Sequence, residues 1–290
     1  MTAGIDNQIL QKLEKWEEKE GTLPGSMEFY RRLLTIQTLA RRRIGVPEIC
    51  LSRETARDRL INGHPLLSFN ELSVDWSLLQ DIFTEVSTLL SSYSEVWAEI
   101  AGNRQFSTSR LKENAAAWFE GTRLPIAEDV DEALWEFMIH TAIKPFLASH
   151  GEALLHLVDQ ELWRRGSCPV CGGSPDFSYL DKERGARWLL CSRCDAGWLF
   201  QRLECPYCGT QDQNALSFLM DDKGLYRLYV CHQCQHYLKT IDLRQIEDEV
   251  LLPLERLLTL DMDIQAQKDG YSPFVRVNRG ASVKQCGSSY

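Results

Sequence analysis

Two segments of this chain, Cys168-Pro-Val-Cys-Gly172 and Cys205-Pro-Tyr-Cys-Gly209, open two copies of one pattern. Each copy closes with a second Cys-x-x-Cys pair, at Cys191 to Cys194 and at Cys231 to Cys234. Two residues between cysteines let both sulfurs reach one ion from a tight turn, and a tetrahedral site needs a second such pair from a neighbouring hairpin. Because eight of the ten cysteines fall in these pairs, the spacing predicts two four-thiolate metal sites.

The predicted metal ligands are the paired cysteines: Cys168, Cys171, Cys191 and Cys194 in the first site, and Cys205, Cys208, Cys231 and Cys234 in the second. We expect pairing within each copy because it closes the shorter loops, although the sequence leaves a crossed arrangement open. Gly172 and Gly209 can adopt the positive φ that turns backbone N–H groups toward thiolate sulfur. Iron and zinc both accept four thiolates, so the spacing leaves the metal open.

The simplest role of the two predicted ions is structural, because each would hold together strands too short to form a core of their own. Four sulfurs around one ion leave no position for water or substrate, which argues against hydrolytic chemistry at the metal. A thiol–disulfide role for one pair is a weaker alternative, because thioredoxin-type motifs stand at the start of a helix that follows a strand.

The hydrophobic pattern divides the chain into a helical part and a strand-rich part. Up to about Gly166 the apolar residues recur at helical intervals, as in the stripe Phe29, Leu33, Ile36 and Ala40. From Cys168 to about Arg244, short apolar runs follow polar turns and end in cysteines, which indicates strands. The sequence therefore predicts an α+β protein: an N-terminal α-helical bundle, two rubredoxin-like or zinc-ribbon four-cysteine modules and a C-terminal helix. The expected boundaries are 1–166, 167–200, 201–244 and 245–290.

Several residues predict where individual helices begin and end. Asp75 is a candidate N-cap, and Gly121 is a candidate C-cap. A further helix is expected from Asp129 to Lys144, where Pro145 should end or kink it. The last helix is expected to begin at about Gln245.

Composition limits the classes of function. The chain has 290 residues, a net charge of −9 and 44% hydrophobic residues, which fits a globular protein and disfavours contact with anionic lipid or nucleic acid. The chain contains no apolar run approaching the roughly 20 residues that span a bilayer, so no membrane span is expected. The first 20 residues lack the basic start and apolar core of an export signal, so we expect a cytoplasmic protein. Metal binding suits cysteines in that reducing compartment better than disulfides.

Two other classes remain possible on the sequence. A nucleic-acid-binding ribbon needs a basic strand face, yet Lys182 and Arg184 alternate with Asp181 and Glu183, so we expect no nucleic-acid partner. A rubredoxin-like redox or electron-transfer protein, which would use iron held by four thiolates, is the stronger alternative.

Five segments resemble the FdhE-type formate dehydrogenase accessory proteins: Trp163–Gly172, Cys191–Trp198, Cys205–Gly209, Cys231–Arg244 and Thr259–Tyr271. Within this resemblance, the four cysteine pairs followed by Tyr-Leu-Lys-Thr are the specific part of the pattern. It implies a cytoplasmic helper that binds the catalytic subunit of a formate dehydrogenase during maturation, is required for that enzyme's activity, and is not itself an enzyme. It also implies rubredoxin-like sites, which favours iron over zinc as the two bound ions, and all eight cysteines of the pattern are present.

The sequence also offers a candidate contact surface for such a partner. The segment His236 to Thr240 leaves the last ligand pair as an extended strand, and Tyr237 and Lys239 are its candidate partner-binding residues. The run Trp198-Leu199-Phe200 is apolar on consecutive residues and would show both faces of a strand. The alternative is that both segments pack one ribbon against the other.

Overall fold

The computed structural model describes residues 2–102, 106–126 and 131–274. Helices occupy the first part of the chain: α1 (Thr2–Glu20), α2 (Gly25–Ile44), α3 (Arg53–Ile61), α4 (Trp76–Ser91), α5 (Glu95–Gly102), α6 (Thr108–Glu120) and α7 (Glu132–Leu154). Short 3-10 turns lie at Phe69–Glu71, between α3 and α4, and at Leu155–Leu157, directly after α7. The predicted helical bundle is confirmed.

The helix ends follow the expected capping chemistry. The carboxylate of Asp75 accepts hydrogen bonds from the N–H groups of Ser77 and Leu78, at 3.0 and 3.1 Å, and so begins α4. Gly121 ends α6 in the left-handed conformation with φ 70°. Asp131 caps α7 by accepting from the N–H of Leu134 at 2.9 Å, whereas the expected start at Asp129 lies outside the described residues.

The sequence predicts an end or a kink at Pro145, and the helix α7 does not end there. Proline removes one N–H donor, so the carbonyl of Thr141, four residues earlier, loses its partner within the helix. The side chain of Gln37 on α2 donates to this carbonyl at 3.0 Å and replaces the missing bond. Both Gln37 and Thr141 are buried. A tertiary contact therefore lets the helix continue to Leu154.

Aromatic side chains form the centre of the bundle. Phe83, Trp97, Phe106 and Trp135 lie with ring centroids 5.0–6.3 Å apart. The indole N–H of Trp135 donates to the amide oxygen of Asn114 at 2.7 Å, so a polar group in this core has a partner. These contacts fix α4, α5, α6 and α7 against one another.

The strands of both modules join in a single six-stranded sheet. They are β1 (Pro175–Leu180), β2 (Arg187–Cys191), β3 (Gly197–Phe200), β4 (Leu216–Met220), β5 (Tyr226–Cys231) and β6 (His236–Asp242), in the order β3-β2-β1-β6-β5-β4. Pairing within each module is antiparallel, whereas β1 and β6 pair in parallel, with Phe177 opposite Lys239. The last strand of the second module thus continues the sheet of the first.

The two faces of this sheet have different neighbours. On one face Leu189, Trp198 and Leu238 belong to the same buried core as the helical bundle. On the other face Leu228, Val230 and Tyr237 pack against Ala266 near the C-terminus. The sheet is therefore a layer between the bundle and the helix that carries Ala266.

The C-terminal region differs in detail from the single helix expected from Gln245. A 3-10 turn ends there, and two short helices follow, α8 (Leu252–Leu258) and α9 (Leu260–Lys268). Pro253 stands in the first turn of α8, where its missing N–H carries no cost. Thr259 separates the two helices with φ −112° and ψ 24°, outside the helical region. Residues 275–290, including Cys286, lie outside the described residues.

The predicted fold class, an α+β fold with two four-cysteine modules, is confirmed. Among the described residues, no helix combines the length and apolar character needed to cross a bilayer.

We expect Gly151→Ala to loosen the contact between α7 and the first module. A Cβ at Gly151 would lie 2.7 Å from the carbonyl oxygen of Cys194, a backbone atom that must move to make room. Such overpacking costs about 1–3 kcal/mol in the free energy of unfolding. Chemical denaturation and metal analysis of the purified variant measure the loss.

The matched control is Gly4→Ala, another helical glycine, whose added Cβ would meet nothing within 4 Å. It should leave stability unchanged or raise it by up to about 1 kcal/mol, because alanine is the better helix former. Equal shifts of the denaturation midpoint in both variants would show that the contact with Cys194 carries no energy.

Candidate metal centres

The four cysteines of the first module converge at the boundary between the sheet and the bundle. The sulfurs of Cys168 and Cys194 lie 3.6 Å apart, and those of Cys171 and Cys191 lie 3.5 Å apart. All four sulfurs are within 4.8 Å of one another, and all four residues are buried. The structure therefore brings together the set that the spacing predicts within one copy.

The second set has the same geometry nearer the surface. The sulfurs of Cys205 and Cys234 lie 3.7 Å apart, as do those of Cys208 and Cys231. Cys208 is exposed and Cys234 is half-buried, whereas Cys205 and Cys231 are buried. The two centres therefore differ in their access to solvent.

The sulfur–sulfur distances fit a tetrahedral ion and exclude disulfides. A metal–sulfur bond of about 2.3 Å places the corners of a regular tetrahedron about 3.8 Å apart. A disulfide would bring two sulfurs to about 2.05 Å. The observed separations of 3.5–3.7 Å are close to the first value, so each group of four cysteines could hold one metal ion. This geometry leaves iron and zinc equally possible.

The turns that carry the sulfurs share one backbone feature. The residue after the second cysteine of every pair has a positive φ: Gly172 at 70°, Asp195 at 57°, Gly209 at 73° and Gln235 at 59°. Positive φ at Gly172 and Gly209 confirms the sequence prediction. Asp195 and Gln235 occupy the same position without the freedom of glycine, and they are the non-glycine residues with positive φ in the described chain. Alignment of the four Cys-x-x-Cys pairs places Asp195 and Gln235 at the same position as Gly172 and Gly209, so the sequence repeat could have predicted their positive φ.

Burial and hydrogen bonding shift the pKa values of the cysteine thiols in opposite directions. Burial raises the pKa of Cys205 to about 11, although the N–H groups of Cys208 and Tyr207 oppose this. Burial acts in the same direction at Cys231, but N–H groups of Cys234 and Gln233 outweigh it and hold its pKa below the usual value. Burial also raises the pKa of Cys168 in the first centre. A bound cation would supply the positive charge that lets these thiols ionise together.

The helical bundle contacts the first centre at the turn between Cys191 and Cys194. His140 and Lys144 on α7 both contact the carbonyl of Ser192, at 3.2 and 3.3 Å. Burial lowers the pKa of His140 to about 3, so the imidazole is neutral and its Nε2–H donates to that carbonyl. His140 and Ser192 are 52 residues apart in the chain, so no local sequence pattern predicts this contact.

Two arginines also connect the first centre to neighbouring helices. The guanidinium of Arg193 donates to the carbonyls of Phe119 and Trp118 at the end of α6, at 2.9 and 3.1 Å. It also stacks on the Trp118 ring, with its central carbon 4.3 Å from the ring centroid. Arg256 on α8 donates to the carbonyl of Cys191 at 2.8 Å.

Asp195 joins these elements through its carboxylate. Lys144 and Arg256 both donate to its Oδ1, at 3.0 and 2.5 Å. Burial raises the pKa of Asp195, but the two cations outweigh burial and hold it below the usual value. The ion pairs explain why a carboxylate, rather than glycine, stands at this positive-φ position.

The structure places the predicted partner-binding residues inside the protein. Tyr237 and Lys239 are each only 5% exposed, on the sheet face covered by α9. The Tyr237 hydroxyl donates to Asp263 at 2.8 Å, and the Lys239 ammonium donates to the same carboxylate at 2.5 Å. The expectation of an exposed strand is therefore not met, because α9 covers it. Trp198 is also buried, and its indole N–H donates to the carbonyl of Arg165 at 2.9 Å.

Residues 167–202, which contain the whole first centre, match the family model described as "FdhE, central domain". Over 155 residues, 52% of this chain, the sequence is 31% identical to a "Protein FdhE homolog" from Aquifex aeolicus. Over 215 residues, 72% of this chain, it is 25% identical to "Protein FdhE" from Escherichia coli O127:H6, of which 67% is covered.

A solved structure has the same fold. The crystal structure of the FdhE protein from Pseudomonas aeruginosa superposes with a TM-score of 0.63 and covers 93% of each chain at 21% sequence identity. At that identity the likeness establishes the fold alone. The sequence alignment with the Aquifex aeolicus relative spans about half of that protein's length, 52%.

We expect Cys208→Ser to remove the ion of the second centre and leave the first occupied. A hydroxyl is a poor substitute for thiolate on a soft tetrahedral ion, and Cys208 is already exposed to water. Elemental analysis should therefore show about half the metal content of the unchanged protein. Cys50→Ser is the matched control, because Cys50 is exposed and belongs to neither group. Full metal content in Cys208→Ser would contradict the ligand assignment.

Proposed function

The family model, the curated relatives and the shared fold support the FdhE family for this chain, and on that basis we propose that it is an accessory protein of formate dehydrogenase. The observation that carries the proposal is the family-model match over residues 167–202, because this segment contains all four cysteines of the first centre. The matched segment therefore contains one of the two candidate metal centres.

The finer proposal is that the chain binds the catalytic subunit of formate dehydrogenase during maturation in the cytoplasm. Support comes from the resemblance of the cysteine-bearing segments to that family. The first centre lies where the sheet meets the bundle, and its ion would fix the relative position of the two layers. A protein organised in this way is suited to present a rigid surface to a client.

We further propose that the chain catalyses no reaction of its own. Each centre offers four sulfurs, so an ion bound there would have its tetrahedral positions filled by protein. Both ions would then act on folding, and the eight paired cysteines would be the metal-binding residues. Iron is favoured by the family resemblance, and zinc fits the same donor set.

Visible absorption and elemental analysis of the purified protein decide between the two metals. Iron held by four thiolates absorbs visible light through sulfur-to-metal charge transfer, whereas zinc has a filled d shell and gives a colourless site. We expect a coloured protein with two iron atoms per chain. A colourless protein with two zinc ions would overturn the assignment of iron.

A rubredoxin-like electron-transfer role is the second candidate function, and one observation favours it at the second centre. Cys208 is exposed and Cys234 half-buried, so an iron ion there would lie close to solvent and to a redox partner. If that role holds, the bound iron should be reduced and reoxidised reversibly, and the Cys208→Ser variant should lose that signal. Failure of the unchanged, iron-loaded protein to take up electrons at any potential tested would exclude the electron-transfer role.

We expect the chain to restore formate dehydrogenase activity in a bacterial strain that lacks its own FdhE relative. A tagged copy should also capture the catalytic subunit from that strain. Cys168→Ser should reduce both the restored activity and the amount of captured subunit, because loss of a buried metal ligand disturbs the contact between the sheet and the bundle. Cys50→Ser is the matched control and should behave like the unchanged chain. If the unchanged chain neither restores activity nor captures the subunit, the proposal is overturned.

A further inference from the structure

A cavity of about 490 Å³ opens on the second module, beside the second centre. Its floor is the sheet face that carries Tyr229 and Leu238, and the segment 202–207 forms one wall. This volume lies within the range of about 300–1,000 Å³ typical of small-molecule sites.

The walls of the cavity are mainly apolar. Leu216, Phe218, Tyr229 and Leu238 line it from three neighbouring strands. Leu203 and Phe218 also reach solvent, with 62% and 45% of their surface exposed. An apolar group entering the cavity would therefore cover side chains that now meet water.

A buried arginine lines the same cavity and forms no ion pair with a carboxylate of the described residues. Arg187 is 2% exposed, and its Nη2 donates to the carbonyls of Gln201 and Glu204. Its guanidinium carbon lies 5.2 Å from the Phe200 ring centroid and 5.8 Å from that of Tyr229. Its Nε has no hydrogen-bond partner, and no carboxylate in the described ranges forms an ion pair with it.

A second arginine of the cavity is only partly satisfied. Arg227 donates from Nη2 to Asp242 at 2.7 Å, and its Nε also has no partner. Arg244 shares the same Asp242 carboxylate at 2.7 Å, so one carboxylate serves two cations. The Phe218 ring lies 5.3 Å from the Arg227 guanidinium carbon.

Three arginines line the cavity, Arg187, Arg202 and Arg227, together with Glu204, whose carboxylate accepts from Gln211 at 2.9 Å. Cys205 and Cys231 of the second centre line it as well, and four thiolates around a divalent ion keep a net negative charge, so an anion is favoured at the guanidinium groups rather than over the whole cavity. Burial lowers the pKa of Arg187 to about 10, which leaves it charged at neutral pH. A buried cation with an unpaired N–H is costly unless an anion compensates it.

We propose that this cavity binds a carboxylate carried on an apolar or aromatic body. The guanidinium groups of Arg187 and Arg227 would take the carboxylate, since guanidinium groups suit that planar anion. Phe218, Leu203 and Leu238 would contact the apolar body. Such a ligand could be a free organic acid or the C-terminus of an apolar peptide, which share this chemistry. The inference stands independently of the proposed role in formate dehydrogenase maturation.

Binding to the full-length, metal-loaded protein tests the proposal with two matched pairs of probes. The first pair is 3-phenylpropanoate and 3-phenylpropanamide, and the second is N-acetyl-Leu-Phe with a free carboxylate and its C-terminal amide. Titrations followed by NMR should show each acid binding at least about tenfold more tightly than its amide, as expected for hydrogen bonds to a charged group. The tighter of the two acids identifies the source of the natural ligand. Equal binding of acid and amide in both pairs would overturn the proposal.

Variants locate the site. Phe218→Ala should weaken both acids about five- to tenfold by removing an aromatic wall of the cavity. Leu219→Ala is the matched control, because Leu219 is 55% exposed on the same strand but does not line the cavity. Equal effects of Phe218→Ala and Leu219→Ala would place the binding elsewhere.

A third variant separates the proposal from a purely structural role of the buried arginine. Arg187→Met should abolish the preference for acid over amide in protein that keeps both metal ions, and Arg227→Met serves in its place if Arg187→Met does not fold. If Arg187 serves only to balance the thiolate charge of the second centre, Arg187→Met loses that metal and the unchanged protein shows no preference for acids. That pair of results would overturn the proposal.

Discussion

The parallel pairing of β1 with β6 is the interaction on which the rest of this structure depends. Each four-cysteine module alone has only three short strands, which is too little chain to bury a core of its own. Joined edge to edge, the two form one layer wide enough to carry the bundle on one face and α9 on the other. The same pairing brings Arg187 of the first module to the cavity of the second.

Buried ion pairs give the layers one defined arrangement. Asp195 meets Lys144 from the bundle and Arg256 from the C-terminal region, so three distant parts of the chain share one carboxylate. Pairs of this kind often contribute little net stability because their charges lose contact with water. Loss of one partner is nevertheless costly, since it leaves an unpaired charge in the interior. Here the ion pairs determine where the helices meet the turn that carries Cys194.

The sequence predicted what depends on short-range spacing and missed what depends on distant partners. Cysteine spacing was sufficient to group the sulfurs, and local residue chemistry was sufficient to place the caps at Asp75 and Gly121. The continuation of α7 through Pro145 was missed because the compensating donor comes from Gln37, more than a hundred residues away. Lys239 appeared to be a surface residue because nothing near it in the chain reveals that α9 folds over it. Burial of a charged residue is a tertiary property that a local pattern does not contain.

The two ends of the sheet are unequal. At β3 the side chain of Gln160 accepts from the backbone N–H of Leu199 at 2.9 Å and so blocks further pairing there. At β4 no strand of the described chain occupies the outer side, and Phe218, Leu219 and Met220 are exposed along it. An apolar strand with free backbone groups is a template for adding another strand. Self-association of this protein in concentrated solution should therefore stop at a dimer, because two paired β4 edges cover each other and the β3 edge is blocked.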